Sequence, residues 1–200
     1  MSIHFVFLTD SHHYPNAPKD YGPPKMLTKS KTVMEAAVPA INAKKPDFIV
    51  HGGDLLCGGS AFDLPTETYL KSINEVANVF SGFQTPVFYI PGNHDCDAQN
   101  GSFEPFIEKF SISETIQLVE AAPGLRLALA NIYPPGCNAI ENGNGLWTNE
   151  LNLSLQNAAE QAAKDHCAII LFLHSCVLPS HEPVSRGLLN GSDLLLKTIR

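Results

Sequence analysis

The stretch Pro91-Gly92-Asn93-His94-Asp95 decides how this sequence of 200 residues is interpreted. It follows Val87-Phe88-Tyr89-Ile90, a short run whose apolar, β-branched and aromatic residues predict a buried strand. Pro91 and Gly92 end the strand and turn the chain. The turn then presents an amide, an imidazole and a carboxylate, which are ligands for hard and borderline divalent cations. Alone, such a stretch is an ordinary turn, so a metal site needs partners elsewhere in the chain.

Three other apolar runs are followed by side chains of the same kind. Ligand sites in open α/β sheets form beyond the carboxyl ends of the strands, so four such sets predict one shared site. The mixture of carboxylate, amide and imidazole, without a thiolate, favours Mn, Fe or Zn. The three further sets are Asp10 and His12 after Ile3–Leu8, Asp54 after Phe48–Val50, and His174 after Ala168–Leu173.

Strand-like runs alternate with helical patterns along the whole chain. Alternation of this kind predicts the α/β class with a partly parallel sheet. Two long irregular stretches rich in proline, 14–24 and 134–147, are expected to form pocket walls. No repeat or linker divides the chain, so residues 1–200 are expected to form one domain. The further predicted elements are helices at 29–43, 66–80, 103–110, 149–165 and 194–200, and a strand at 125–132.

Composition and charge exclude several classes of function. Apolar residues make up 44 % and charged residues 16 %, which indicates a globular protein. The net charge is -7 and no basic run occurs, so a long nucleic acid is not an expected partner. A small phosphorylated substrate remains compatible, because a bound metal reverses the local sign of charge. The five cysteines form no Cys-x-x-Cys pair, and no leader or membrane-length apolar segment is present, so we expect a cytoplasmic protein with free thiols and no membrane partner.

Four motifs together resemble those of the calcineurin-like metallophosphoesterases. Asp10-Ser11-His12, Gly53-Asp54, Gly92-Asn93-His94-Asp95 and His174 match the family's Asp-x-His, Gly-Asp, Gly-Asn-His-Asp/Glu and single-His motifs in order and spacing. The resemblance implies a four-layer α/β/β/α sandwich and a site for two divalent metal ions. It also implies roles for the residues: Asp10 and His12 bind the first metal, Asp54 bridges both, Asn93 and His174 bind the second, His94 faces the substrate, and Asp95 orients His94.

A two-metal site of this kind predicts hydrolysis of a phosphoester. A hydroxide shared by the metals attacks phosphorus in line, and His94 protonates the leaving oxygen. A weaker overall resemblance to the cyclic-nucleotide phosphodiesterase branch favours a phosphodiester, with a phosphomonoester next. A scaffold that binds a protein partner is a further alternative, although the presence of His94 argues against it. A nuclease is disfavoured by the lack of a basic groove.

The sequence departs from the family pattern at its carboxyl end. The family's final Gly-His-x-His, which supplies one imidazole to each metal, does not occur. His181 lacks the glycine and the second histidine and lies too soon after His174 to replace it. The chain therefore resembles the N-terminal bulk of a longer protein. Residues 1–200 alone are expected to bind metal weakly or at one site, with little phosphodiesterase activity until the missing segment is supplied.

Four residues near the predicted ligands are expected to be structural. His51 is predicted to lie in the core or behind the ligands. Cys57, Cys96 and Cys176 follow ligand residues closely and are predicted to be small buried side chains, not ligands.

Overall fold

Two three-stranded sheets form the centre of the molecule. The computed structural model describes residues 2–21, 25–59, 62–134, 143–178 and 188–199. In the first sheet, β1 (Phe5–Leu8), β2 (Phe48–His51) and β3 (Val87–Tyr89) lie in that order and are all parallel. In the second sheet, β4 (Ile116–Ala122) runs antiparallel to β5 (Leu125–Ala130), which runs parallel to β7 (Ala168–Phe172). The short strands β6 (Gly145–Leu146) and β8 (Leu189–Asn190) form a separate parallel pair.

The helices are amphipathic and bury one face each. In α2, the apolar spacing of Tyr69, Ile73, Val76 and Phe80 places all four side chains in the core. The longest described helix begins after Thr148, whose hydroxyl accepts a hydrogen bond of 3.1 Å from the Leu151 amide. The described helices are α1 (Ser30–Asn42), α2 (Thr66–Phe80), α3 (Glu104–Phe110), α4 (Asn149–Lys164) and α5 (Ser192–Thr198), with a 3₁₀ turn at Leu27–Lys29.

Three of the buried hydrophobic clusters correspond to the interfaces between four layers. Between the sheets, Phe48 and Val50 of β2 pack in one cluster with Leu127 and Leu129 of β5. The alternate side chains of β5, Ala128 and Ala130, belong to a second cluster with α4 and α5. A third cluster joins α1, α2 and α3 on the outer side of the first sheet. The predicted α/β/β/α sandwich is therefore confirmed.

Both sheets direct strand ends toward one edge of the sandwich. All three strands of the first sheet are parallel, so the segments that begin at Thr9, Gly52 and Ile90 leave the sheet on the same side. His174 reaches the same place from β7 of the second sheet, where its Nδ1–H donates to the Gly52 carbonyl at 2.7 Å. The fold thus brings distant parts of the sequence to one site.

Three sequence predictions about the elements need correction. The strand β4 was not predicted, and the strand predicted at 125–132 ends at Ala130. The run 168–173 was predicted as a fully buried strand, but the residues of β7 are exposed or only half-buried. In the described residues β7 and β1 are edge strands, and this explains the exposure of β7 and of Phe5 (42 %) and Phe7 (48 %) on β1.

Parts of the two predicted loops lie outside the described residues, namely 22–24 and 135–142. Both His181 and Cys137 also lie outside them. No helix within the described ranges is long and apolar enough to cross a membrane.

Candidate metal centre

The turns after β1 and β2 hold their ligand-type residues in an uncommon backbone conformation. Asp10, His12 and Asp54 all have positive φ, at 57°, 42° and 54°. Such a conformation costs on the order of 1 kcal/mol or more for a residue with a side chain, and it occurs often at functional sites. The two turns support each other, because the Asp10 amide donates to the Gly53 carbonyl at 3.1 Å and the His12 amide to the Asp54 carbonyl at 3.0 Å.

This backbone geometry brings Asp10, His12 and Asp54 into one group. The His12 Nε2 atom lies 3.5 Å from Asp10 Oδ1 and 3.6 Å from Asp54 Oδ2. One potential ligand atom from each residue lies within 4.8 Å of the others, so the three side chains could hold one metal ion. The adjacent His12 imidazole is the largest influence on Asp10 and lowers the pKa of its carboxyl group.

His174 approaches the same carboxylate from the other side. Its Nε2 atom lies 3.5 Å from Asp54 Oδ1, whereas His12 faces Oδ2. Burial alone would lower the pKa of His174, but the hydrogen bond and the charge of Asp54 outweigh it and raise this pKa to about 9. Burial would conversely raise the pKa of Asp54, and the interaction with His174 holds it below its ordinary value. One carboxylate therefore lies between two imidazoles, with one oxygen directed to each.

The donor set fits a divalent cation. Both ring nitrogens of His12 are buried and lack a hydrogen-bond partner among the described residues, which is costly for a polar group. A cation between His12, Asp10 and Asp54 would satisfy the Nε2 atom, and imidazole and carboxylate suit Mn, Fe and Zn. His174 already donates its other ring N–H to a backbone carbonyl, as imidazoles that bind metals commonly do.

His94 lies beside this group with one ring nitrogen already engaged. Its Nδ1–H donates to the Gly58 carbonyl at 2.9 Å, and its amide donates to Asp54 Oδ1 at 2.8 Å. The His94 and His12 ring centroids are 5.1 Å apart. Burial lowers the pKa of His94, and the nearby Asp54 carboxylate opposes this effect. The ring is thus fixed by Nδ1, so Nε2 is available to another group.

Asn93 is half-buried, and its side chain lies against Gly143 at the beginning of the described segment 143–178. A β-carbon at Gly143 would lie 3.2 Å from Asn93 Nδ2. The assignment of Asn93 as a metal ligand stays a prediction.

Asp95 has a different partner from the one predicted. Its Oδ2 atom accepts from the amides of Asp54 and Gly92, both at 2.8 Å, and its Oδ1 atom accepts from Leu56 at 3.0 Å. The ring of His94 is held by the Gly58 carbonyl, so the predicted orientation of His94 by Asp95 has no direct contact to support it and stays a prediction. Burial and the charge of Asp54 raise the pKa of Asp95 to about 8, although its backbone hydrogen bonds act in the opposite direction. Asp95 joins the turns after β2 and β3.

The glycines of these turns permit a close approach that a side chain would prevent. A β-carbon on Gly92 would lie 2.3 Å from Asp54 Oδ1 and 2.4 Å from the Asp54 amide nitrogen. These distances are far below an ordinary contact, so Gly92 is required for the Asp54 carboxylate to occupy its place.

The sequence argument missed the residues that surround the centre. Phe62 lies 5.3 Å from His94 and 6.4 Å from His12 between ring centroids, and Lys25 lies over Phe62. No sequence signal identified these contacts, because both residues belong to irregular segments whose course depends on the tertiary structure. A cavity of about 520 Å³ opens beside Asp10 and His12, and its lining combines polar groups, among them Lys25 and His51, with apolar side chains of the 26–37 segment.

His51 and the cysteines mostly behave as predicted. His51 is buried, its Nε2 atom lies 3.2 Å from the Ser11 hydroxyl, and burial lowers its pKa to about 3. Cys57 and Cys96 are buried, whereas Cys176 is exposed because it follows the edge strand β7. Among the described residues, Cys57, Cys167 and Cys176 are free thiols.

Comparison with known proteins agrees with this geometry. A solved structure, described as a dimetal phosphatase from Danio rerio, superimposes with a TM-score of 0.77 at 13 % sequence identity, over 98 % of this chain and 77 % of that one. This likeness shows the fold. No curated protein matches the sequence. The family model of the calcineurin-like phosphoesterases matches residues 3–195, which is nearly the whole chain. The chain therefore belongs to the calcineurin-like phosphoesterase family.

Proposed function

We propose that the protein hydrolyses a phosphodiester with the help of two divalent metal ions held by Asp10, His12, Asp54, Asn93 and His174. The observation that supports this most strongly is the position of the Asp54 carboxylate, with Oδ2 at 3.6 Å from His12 Nε2 and Oδ1 at 3.5 Å from His174 Nε2. A carboxylate with an imidazole at each oxygen is suited to bridge two cations. When bound, such cations act as Lewis acids on a phosphoryl oxygen and lower the pKa of water.

The proposed role of His94 is to donate a proton to the leaving oxygen. Its Nδ1–H is held by the Gly58 carbonyl, so Nε2 is the nitrogen that can carry a proton to the substrate. The attack of water on phosphorus breaks the bond to the leaving oxygen, and the proton from His94 neutralises that oxygen as it departs. The attacking water loses its own proton to the solvent or to the neutral His94 that remains after the leaving group has been protonated, so no net proton is gained or lost by the protein.

The charge around the centre supports a diester over a monoester. Lys25 is a cationic side chain next to His94, through its contact with Phe62. Arg126, by contrast, pairs with Asp165 at the amino end of β5, remote from the strand ends that carry the centre. Besides the proposed metal ions, Lys25 is thus the cationic side chain near His94 among the described residues, and a phosphodiester with one negative charge needs fewer such side chains than a monoester with up to two.

The test compares two substrates that share a leaving group. The full-length protein is loaded with Mn²⁺ and assayed on bis(p-nitrophenyl) phosphate and p-nitrophenyl phosphate, beside the variant His12→Ala. We expect Mn²⁺-dependent release of p-nitrophenolate, a higher kcat/KM for the diester, and a large loss in the variant. Hydrolysis that is indifferent to metal would contradict the proposal, and a higher kcat/KM for the monoester would identify a phosphomonoesterase instead.

A further inference from the structure

An aromatic surface extends from the metal centre to the outside of the molecule. Phe62 contacts His94 on one side, with ring centroids 5.3 Å apart, and Tyr21 on the other, at 5.0 Å. Tyr21 is 51 % exposed, whereas Phe62 is half-buried. A planar group that leaves the centre past His94 would therefore meet the ring of Phe62 first and that of Tyr21 next. We call Tyr21, Phe62 and Lys25 the aromatic shelf.

The shelf is held in place by its own hydrogen bonds. The Tyr21 amide donates to the Lys25 carbonyl at 3.1 Å, and the two residues form an antiparallel bridge. Beside this bridge, the amide and the hydroxyl of Thr28 both donate to one oxygen of Asp20, at 2.9 and 2.8 Å. The side chain of Phe62 also packs against the buried cluster of Leu27, Cys57 and Leu64. These contacts present both rings in a fixed arrangement before any ligand arrives, which lowers the entropic cost of binding.

Lys25 adds a positive charge to the shelf. Its ammonium lies 5.6 Å from the centroid of Phe62, within the range of a cation–π contact. Among the described residues, no carboxylate lies within ion-pair distance of it. The charge is therefore available to a phosphoryl oxygen that lies between the metal centre and the rings.

We propose that the aromatic shelf determines specificity, so that the protein prefers a phosphoester whose organic group is a planar aromatic ring, as in an aryl or nucleoside ester. The inference rests on the proposed function and names the substrate class for that site. The neighbouring cavity of about 520 Å³ would instead favour a flexible aliphatic group, because Leu8, Met26, Val33 and Met34 line it. The choice between aromatic and saturated rings distinguishes the two surfaces.

The kinetic test varies the leaving group, because His94 protonates the leaving oxygen and the shelf lies beside His94. Mn²⁺-loaded full-length protein is assayed on methyl phenyl phosphate and methyl hexafluoroisopropyl phosphate, whose leaving alcohols are of similar acidity but differ in the aromatic ring. We expect a roughly three- to tenfold higher kcat/KM for the phenyl ester, which is the scale of a well-placed aromatic contact. The variants Phe62→Leu and Tyr21→Leu should each reduce this ratio toward one. Phe5→Leu, which removes an exposed aromatic ring on β1 that stacks on Phe48, should leave the ratio unchanged.

A binding measurement separates the shelf from the chemistry. Phenylphosphonate and cyclohexylphosphonate cannot be hydrolysed at their carbon–phosphorus bond, and calorimetry gives their affinity for the metal-loaded protein. We expect the phenyl compound to bind roughly three- to tenfold more tightly. Lys25→Gln should weaken both compounds by the same factor, and Lys25→Arg should restore them, because the charge contacts phosphorus oxygens and not the ring.

The outcomes distinguish this inference from the proposed function. Metal-dependent hydrolysis of the two diesters at equal rates, with equal affinities for the two phosphonates, would contradict the role of the shelf and leave the proposed function intact. A phenyl preference that persists in both Phe62→Leu and Tyr21→Leu would also overturn it, since the ring would then lie elsewhere. A phosphonate preference that depends on Phe62 and Tyr21, without hydrolysis of either diester, would support the shelf and contradict the function.

Discussion

Asp54 is the residue on which the centre depends. Its backbone has φ of 54°, its amide donates to Asp95, and its carboxylate lies between His12 and His174. A conformation of this kind persists only where the surrounding contacts fix it. The turn that contains His94 supplies one of those contacts, an amide hydrogen bond to Asp54 Oδ1 at 2.8 Å. The position of the proposed acid and that of the proposed bridging ligand are therefore linked.

The variant His94→Gln tests the role of His94 as an acid. Glutamine keeps a donor for the Gly58 carbonyl but cannot deliver a proton, so we expect metal content near that of the wild type. For an ester with a poor leaving group, kcat/KM should fall by roughly 10²–10⁴-fold, which is the usual contribution of general acid catalysis. For p-nitrophenyl esters, whose leaving group needs no proton, the loss should be smaller.

The leaving-group dependence is measured with a series of aryl diesters of increasing phenol pKa. An equal loss across that series would indicate that His94 only binds the phosphoryl group. Loss of metal together with activity would show that the ring is structural.

The pair of His174 and Asp54 predicts how pH affects the metal-free protein. The pKa of His174 is about 9 in the fold and near 6.5 in an unfolded chain. A group whose pKa is raised by folding stabilises the fold fully below the unfolded value and loses this effect as pH rises through the folded value. The stabilisation by protonated His174 should thus be present at pH 6 and disappear between about pH 6.5 and 9.

Urea unfolding of the chelated protein checks this prediction, with His174→Gln as the matched variant. The difference in unfolding free energy between wild type and variant should be larger at pH 6 than at pH 9.5, by on the order of 2 kcal/mol. A difference that stays constant, or that grows with pH, would mean that the two side chains do not form this ion pair.

At the scale of elements, a buried hydrogen-bond network ties helices α1 and α2 to the turn after β1. The buried ring of His13, next to His12, donates from Nε2 to Glu75 Oε2 at 2.9 Å. Its Nδ1 atom accepts from the Ser30 hydroxyl at 3.0 Å. Burial lowers the pKa of His13, so the neutral ring with one donor and one acceptor matches these partners. The network holds the turn that carries Asp10 and His12.

Removing the carboxylate of this network should destabilise the fold. In Glu75→Ala the buried Nε2–H of His13 loses its acceptor, so we expect a loss of about 1–3 kcal/mol in unfolding free energy. Metal affinity should also weaken, because the adjacent turn is no longer fixed. Glu160→Ala, which removes an exposed glutamate on α4, is the matched control and should change neither quantity appreciably. Chemical unfolding and Mn²⁺ titration measure both, and a Glu75 variant that resembles Glu160→Ala would refute the network's role.

Elements with strong local patterns could be predicted from the sequence, whereas others could not. The apolar spacing from Tyr69 to Phe80 predicted helix α2 at 66–80, the bounds that the structure has. Strand β4 was missed because Gln117 and Glu120 interrupt its apolar run, although Pro123 and Gly124 mark the hairpin that joins it to β5. Its pairing with β5 and its place in the sheet depend on tertiary contacts, which one sequence does not display.

In the metal centre too, features set by the local sequence could be predicted, whereas features set by tertiary contacts could not. The strand-end motifs predicted one shared site for Asp10, His12, Asp54 and His174. The first three follow parallel strands of the first sheet, whereas His174 reaches the site from β7 of the second sheet, which the sequence did not indicate. The partner of Asp95 could not be predicted, since a carboxylate next to His94 in sequence has no fixed direction in a turn. The aromatic shelf could not be predicted from the sequence either, because Tyr21 and Phe62 come together from two irregular segments.

At the scale of the whole molecule, metal should stabilise the fold. Binding that is restricted to the folded state raises the unfolding free energy by about 2.7 kcal/mol when the ligand concentration is one hundred times its Kd. We therefore expect Mn²⁺ to raise the Tm of the wild type, and EDTA to reverse the increase. His12→Ala should lose the response to Mn²⁺. Leu127→Ala, in the core between the sheets, should lower the Tm by creating a cavity but keep the response.

Scanning fluorimetry of the three proteins, with and without Mn²⁺, measures these six Tm values. A response in His12→Ala equal to that of the wild type would place the stabilising metal elsewhere. A lost response in Leu127→Ala would show that any destabilisation abolishes metal binding. The result for His12→Ala would then not identify His12 as a ligand, which contradicts the prediction.

The position of Asp54 between two imidazoles is the central claim, and Mn²⁺ titration of Asp54→Asn tests it most directly. The number and affinity of bound ions are measured by electron paramagnetic resonance of the free ion, in the wild type, in Asp54→Asn and in Asp193→Asn. Asp193 is an exposed carboxylate in the first turn of α5 and serves as the control. We predict that Asp54→Asn weakens every Mn²⁺ site that the wild type has, whereas Asp193→Asn binds like the wild type. Wild-type number and affinity in Asp54→Asn would contradict the account.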